Sequence, residues 1–185
     1  VFAPALTVAV HLLCDDRHVT AGHGRMLIAA AAAVTEDHDR VGVIKTLADV
    51  GLECSLFPAR RRGAPLSAWQ KLQADLQGWL RGLPKPVAVL TWTSDRAREV
   101  IYGCRAIGLL VPEQVAVIGG GDDKVLCETF NPPLSAVALP SERIGYEAAA
   151  LLDRLIQGKR GPGKRILIEP IRVVVRRSTD TLAIE

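Results

Sequence analysis

The sequence predicts an α/β fold: a Rossmann-like, mostly parallel open sheet with helices on both faces. Three observations carry this expectation. Val87–Thr91, Val115–Ile118 and Leu134–Leu139 are short apolar runs bounded by turn residues, which is the pattern of buried strands. Segments with helical character lie between them, and the links are short. Alternating strands and helices with short links imply right-handed βαβ units and a parallel sheet. The chain has 185 residues, with 49% hydrophobic and 23% charged, enough for a packed core in one domain or one domain plus a remnant.

The elements follow in chain order. Thr7–Leu13 (TVAVHLL) reads as a buried strand. Gly24–Val34 (GRMLIAAAAAV) reads as a helix, because Ala has the highest helix propensity. Thr35 with Glu36 and Asp37 starts another helix, since a hydroxyl caps free N–H groups and acids suit the positive end of the dipole. That helix should reach Val50 and stop at Gly51, leaving no strand between Val34 and Thr35. Leu52–Phe57 is a short strand, and Pro58–Pro65 a basic loop that forms the best internal boundary.

Ser67–Leu80 places Trp69, Leu72, Leu76, Trp79 and Leu80 on one helical face, a core stripe. Arg96–Ile107 is a helix closed by Gly108, and Asp123–Thr129 a short one. Ser141 caps a helix running to Gln157. Ile166–Arg176 is extended, with Pro170 marking a break or an edge.

Net charge is +3, from 23 basic and 20 acidic side chains, too even to imply nucleic-acid binding without a clustered patch. The basic runs Arg60–Arg62 and Lys159–Arg165 sit among Gly and Pro, as solvated loops do. Cys14, Cys54, Cys104 and Cys127 have no CxxC spacing and read as small buried hydrophobes in a reducing cytosol. His11, His18, His23 and His38 lack metal spacing. No apolar run is long enough to span a membrane. GxSxG and HExxH are absent. Gly158–Lys164 outlines a phosphate loop, but Arg165 stands where Ser or Thr would hold magnesium. No enzyme and no cofactor are expected.

In an open parallel sheet, ligands collect at the carboxyl ends of the strands. Those ends carry Trp92-Thr93-Ser94-Asp95 and Gly119-Gly120-Gly121-Asp122-Asp123. One rim thus gathers an indole, hydroxyls and three carboxylates. Carboxylates accept hydrogen bonds from vicinal hydroxyls, and an aromatic face covers the apolar side of a sugar ring. Trp92, Ser94, Asp95, Asp122 and Asp123 are therefore the candidate ligand-binding residues, for a small polyol or sugar. Each acid has a second possible role, as the N-cap of the helix that follows it.

From Leu83 to Asp180 the chain resembles the C-terminal lobe of xylose operon regulators. VPEQVAVI at Val111–Ile118, LCETFNPPLS at Leu126–Ser135 and RIGYEAAALLDRL at Arg143–Leu155 carry the likeness most specifically, and RRSTD at Arg176–Asp180 resembles the end of that sensing domain. Weaker likeness upstream joins VAVHLLCDDRHVTAGHGRM and TEDHDRVGVIKTLADVGLECSLF to the N-terminal lobe. The resemblance implies a two-lobed sensor, like periplasmic sugar-binding proteins and lactose-type repressors, that closes on a sugar such as a pentose. It also implies a separate arabinose-regulator-type helix-turn-helix module for DNA, absent from this chain, and a cytoplasmic location.

The expected division is residues 1–57 as a reduced N-terminal lobe and 58–185 as the effector-binding lobe. The alternative function is a dimerisation or assembly module without a ligand. Relatives in that family usually carry Asn-Asp-Asp-Arg-Ala where Thr93-Ser94-Asp95-Arg96-Ala97 stands, and an acid where Gly121 stands. Losing one such carboxylate costs about 1.5–3 kcal/mol of affinity. A homodimer is expected, because an Ala-rich helix over Ala29–Ala33 and a lone strand at Thr7–Leu13 would both need covering.

Overall fold

The computed structural model describes residues 27–31, 44–45, 47–49, 54–57, 66–161, 163 and 166–180. Among them a six-stranded sheet runs in the order β2-β1-β3-β4-β5-β6. Its strands are β1 (Leu27–Ala31), β2 (Cys54–Leu56), β3 (Val87–Thr91), β4 (Val115–Gly119), β5 (Ser135–Ala138) and β6 (Arg172–Val174). Strands β1 to β5 pair in parallel, and β6 is antiparallel to β5 at the edge. The helices are α1 (Leu66–Gly82), α2 (Ser94–Ala106), α3 (Lys124–Thr129) and α4 (Ser141–Ile156). No helix among the described residues is long and apolar enough to cross a membrane.

The alanine-rich run corrects the expected helix. Leu27–Ala31 is a strand, paired with β3 from Leu27↔Val87 to Ala31↔Thr91 and with β2 from Ile28↔Cys54 to Ala30↔Leu56. A short apolar run looks alike in a buried helix and in a central parallel strand. Pairing on both sides overrides the weak intrinsic preference of Ala. A strand is therefore present ahead of Thr35 after all, and no Ala-rich helix awaits a cover. Residues 44–45 and 47–49 are helical, and Leu47 is fully buried. The expected strand at Thr7–Leu13, the helix start at Thr35, the stop at Gly51 and the loop Pro58–Pro65 lie outside the described residues. A division after Phe57 would fall inside one hydrogen-bonded sheet, because β2 pairs with β1 and β1 with β3.

All five residues of β3 are buried, so the sheet is covered on both faces there. Val87 and Val89 alternate onto the face that meets Val115, Val117, Leu76, Leu80, Val100 and Ile101 in one cluster. Gly103 of α2 permits the close approach of α1, since a Cβ there would sit 3.3 Å from a Leu80 methyl. Trp79 lies against Phe57 with ring centroids 5.4 Å apart and donates its indole N–H to Ser55 Oγ at 3.2 Å. Trp69, expected on the same stripe, is 44% exposed. The deeply buried part of the stripe is Leu76 and Leu80, where α1 meets α2.

Helix α2 ends as expected, at Gly108 with φ +75°, a left-handed position that glycine adopts freely. Helix α4 begins differently: Pro140 is its N-cap residue, Ser141 its first residue, and no side chain caps it. The fixed φ of proline suits a helix entry without a hydroxyl's help. Pro170 precedes a short edge strand, as its missing N–H requires.

Candidate functional site

Beyond β1 the chain goes to β2 on one side and then returns to β3 on the other, which makes the carboxyl ends of β1, β3 and β4 the natural ligand crevice of this topology. Thr91, the last residue of β3, is 1% exposed. Its hydroxyl lies within hydrogen-bonding distance of the carbonyls of Ile118 (3.2 Å) and Thr93 (3.1 Å), so it ties the ends of β3 and β4 together.

Trp92 and Thr93 turn away from the sheet, and Thr93 Oγ1 caps α2 by accepting from Arg96 N at 3.4 Å. The cap is thus Thr93 and not Asp95. Gly120 lies directly under this turn. A Cβ there would sit 2.4 Å from the Trp92 carbonyl oxygen, so only glycine lets the two loops cross this closely.

The five candidate residues meet. Trp92, Ser94, Asp95, Asp122 and Asp123 all line one depression of about 500 Å³, floored by Gly120 and Gly121 and walled on one side by Leu126 and Leu139. Their commitments differ. Ser94 Oγ donates to Gly121 O at 2.7 Å, which spends its proton on the rim itself. Asp123 Oδ1 accepts from Leu126 N at 3.2 Å and caps α3. Asp122 pairs with Arg176, Nη1 to Oδ1 at 2.8 Å, with both side chains mostly buried. Asp95 is 72% exposed and meets Arg98 at 3.3 Å, a pair too solvated to hold the carboxylate firmly. Asp95 is therefore the rim acid least committed to the fold, and the indole of Trp92 is half-buried beside it.

Cys127 closes the underside. It is fully buried, its Sγ lies 3.8 Å from Ser94 Oγ, and burial pushes its thiol up. Burial also pushes the Cys104 thiol in the core up to about 12. Cys104 and Cys127 are thus buried as expected, whereas Cys54 is half-buried; Cys14 lies outside the described residues. No group of three metal-ligating side chains occurs among the described residues, and the four histidines lie outside them.

Nothing in the sequence marks Arg176 as a site residue. It is 54 positions from Asp122, and no spacing rule connects a guanidinium after an edge strand to an acid after β4. Ser141, Leu126 and Leu139 are hidden in the sequence for a similar reason: they line the depression from neighbouring elements.

Residues 16–179 match the model of the periplasmic binding protein-like domain. The xylose operon regulatory protein of Escherichia coli (strain K12) is 38% identical over 112 residues, 60% of this chain and 29% of that protein. Its namesake from Haemophilus influenzae is 35% identical over the same lengths. The chain thus spans less than a third of these curated relatives. Among solved structures, a xylose-binding transcription activator superposes with a TM-score of 0.71 at 26% identity, covering 100% of this chain and 47% of that one. A LacI family transcriptional regulator from Arthrobacter sp. FB24 gives 0.73 at 28%, covering 97% and 64%. These relatives are named as regulators and not as enzymes. With its β-strand order, its rim and a match over most of its length, the chain belongs to the periplasmic binding protein-like domain family.

Proposed function

We propose that this chain is the effector-sensing part of a sugar-responsive bacterial transcription regulator, and that its ligand is a small sugar such as a pentose. The observation that carries this reading is the convergence of Trp92, Ser94, Asp95, Asp122 and Asp123 on one depression at the carboxyl ends of β3 and β4. Trp92 offers an aromatic face to the apolar side of a ring, and Asp95 accepts from vicinal hydroxyls. Asp122, Asp123 and Ser94 shape the rim. The relatives named as xylose regulators support this ligand class, and so does the Arthrobacter regulator solved with lactose.

The described residues act as one lobe, because residues 27–31 and 54–56 join the same sheet as the rest. The sugar is held between this lobe and a second one. The regulator works in the cytoplasm as a homodimer, and a separate module contacts DNA. The chain has no catalytic role in this reading. Calorimetric titration with D-xylose tests it: saturable heat, weakened by Asp95→Ala with no change in melting temperature, is expected. Equal affinity in the variant would reduce Asp95 to a surface residue.

A second reading has one observation in its favour. Gly121 supplies no acid, and Asp122 and Asp123 are already engaged by Arg176 and by a backbone N–H. On that reading the chain is an assembly module without a ligand, and no sugar produces heat while the chain still dimerises.

A further inference from the structure

We infer that Arg176 is a positioning residue of this site: it fixes Asp122, and through Asp122 it couples the 119–123 rim to the seating of the chain segment 176–179. This rests on the proposed site for its meaning, but the coupling itself does not require a sugar.

Arg176 Nη1 reaches two acceptors, Asp122 Oδ1 at 2.8 Å and the Leu134 carbonyl at 2.9 Å. Its side chain is 11% exposed and that of Asp122 13%, so the pair is little screened by solvent. The backbone around it is stitched into the sheet. Arg176 N donates to Ser135 Oγ at 2.7 Å. Ser178, fully buried, accepts from Ser135 N at 2.8 Å through Oγ and donates the same hydroxyl to Val117 O at 2.6 Å. Val117 N in turn donates to Ser178 O at 2.9 Å. The segment 176–179 therefore fills a gap between β4 and β5, where the direct pairing is only Ile118↔Ser135 and Gly119↔Ala136.

One side chain leaves this wedge for the ligand rim, and it is Arg176. Asp122 stands between Gly121, whose carbonyl accepts from Ser94 Oγ, and Asp123, which caps α3. Moving Asp122 thus disturbs both neighbours at once. A buried ion pair whose removal leaves an uncompensated charge has a large effect, and the effect falls on both ends of the link. Coupling between two ends is reciprocal by thermodynamic necessity.

The test is residue-resolved amide exchange on the whole chain. Arg176→Met should speed exchange of the Leu126 and Cys127 amides by roughly ten- to a hundredfold, the equivalent of one lost charge-assisted hydrogen bond. Asp122→Asn should speed exchange of the Ser135 and Ser178 amides, across the link. The double variant should exceed neither single variant by much, and Arg176→Lys should restore part of the protection. Arg177→Met, at an exposed neighbour, should change neither region. A purely local role for Arg176 predicts faster exchange near residue 176 alone, with Leu126 and Cys127 unchanged, and that result would overturn the inference. If Arg176→Met does not fold, Asp122→Asn and Arg176→Lys decide the matter by the same cross-effects. Adding D-xylose to the same samples separates the two claims. Added protection at Ser135 and Ser178 supports the coupling. Unchanged protection at saturating sugar contradicts it. Absence of sugar binding refutes the proposed function, while the variants still judge the link.

Discussion

Two adjacent glycines of the rim have opposite requirements. Gly120 is pressed against the Trp92 carbonyl, so Gly120→Ala forces a backbone shift that should cost roughly 1–3 kcal/mol, as overpacking does. Urea unfolding of the variant measures this; an unchanged midpoint would show that the loops do not cross as closely as described. At Gly121 a Cβ meets nothing within 4 Å, and its φ is not in the left-handed region. Gly121→Asp should therefore fold normally and place a carboxylate where the resemblance to xylose operon regulators implies one. Affinity for D-xylose should rise about tenfold, the equivalent of one hydrogen bond to a charged group. A loss of affinity would mean that the space above Gly121 belongs to the ligand. The core offers a third check. Because burial pushes the Cys104 thiol up to about 12, it carries almost no thiolate at pH 8. Iodoacetamide should leave Cys104 unmodified in the native chain and label it after unfolding.

Among the elements, strands β3, β4 and β5 are legible in the sequence because each is a short apolar run between turn residues, and the structure places them within one residue of those runs. The rim follows from them, since a parallel sheet sets ligands at strand ends. Roles within the rim are harder to read. Asp95, Asp122 and Asp123 are all credible caps by composition, and only the geometry shows that Thr93 and Asp123 cap while Asp122 pairs with Arg176. Leu27–Ala31 misleads in isolation because Ala votes for helix locally, whereas two neighbouring strands decide its state. The wedge at 176–179 is invisible for a different reason: its partners Val117, Pro133 and Ser135 are distant in sequence. Ser178→Ala tests its weight. The change strands a buried N–H of Ser135 and a carbonyl of Val117, and should cost about 1–3 kcal/mol in equilibrium unfolding. A neutral outcome would show that the wedge is not needed to hold β4 and β5 together.

For the whole molecule, the proposed role of the crevice of this lobe is to take a sugar. The sheet order puts the switch between β1 and β3 beside the ends of β3 and β4, and the indole, the accessible carboxylate and the glycine floor all open on that place. Dimerisation does not rest on an uncovered Ala-rich helix, because that stretch is a paired inner strand. It rests on apolar side chains such as Tyr146 and Ile156 of α4 that stand 75% exposed. Light scattering behind a sizing column measures the mass; a dimer is expected, and a stable monomer would contradict it. A crystal structure of the chain soaked with D-xylose decides whether the crevice takes a sugar. A pyranose ring is expected against the face of Trp92, with Asp95 accepting from its hydroxyls. Clear density for Trp92 and Asp95 with no sugar beside them, at saturating xylose, would contradict it.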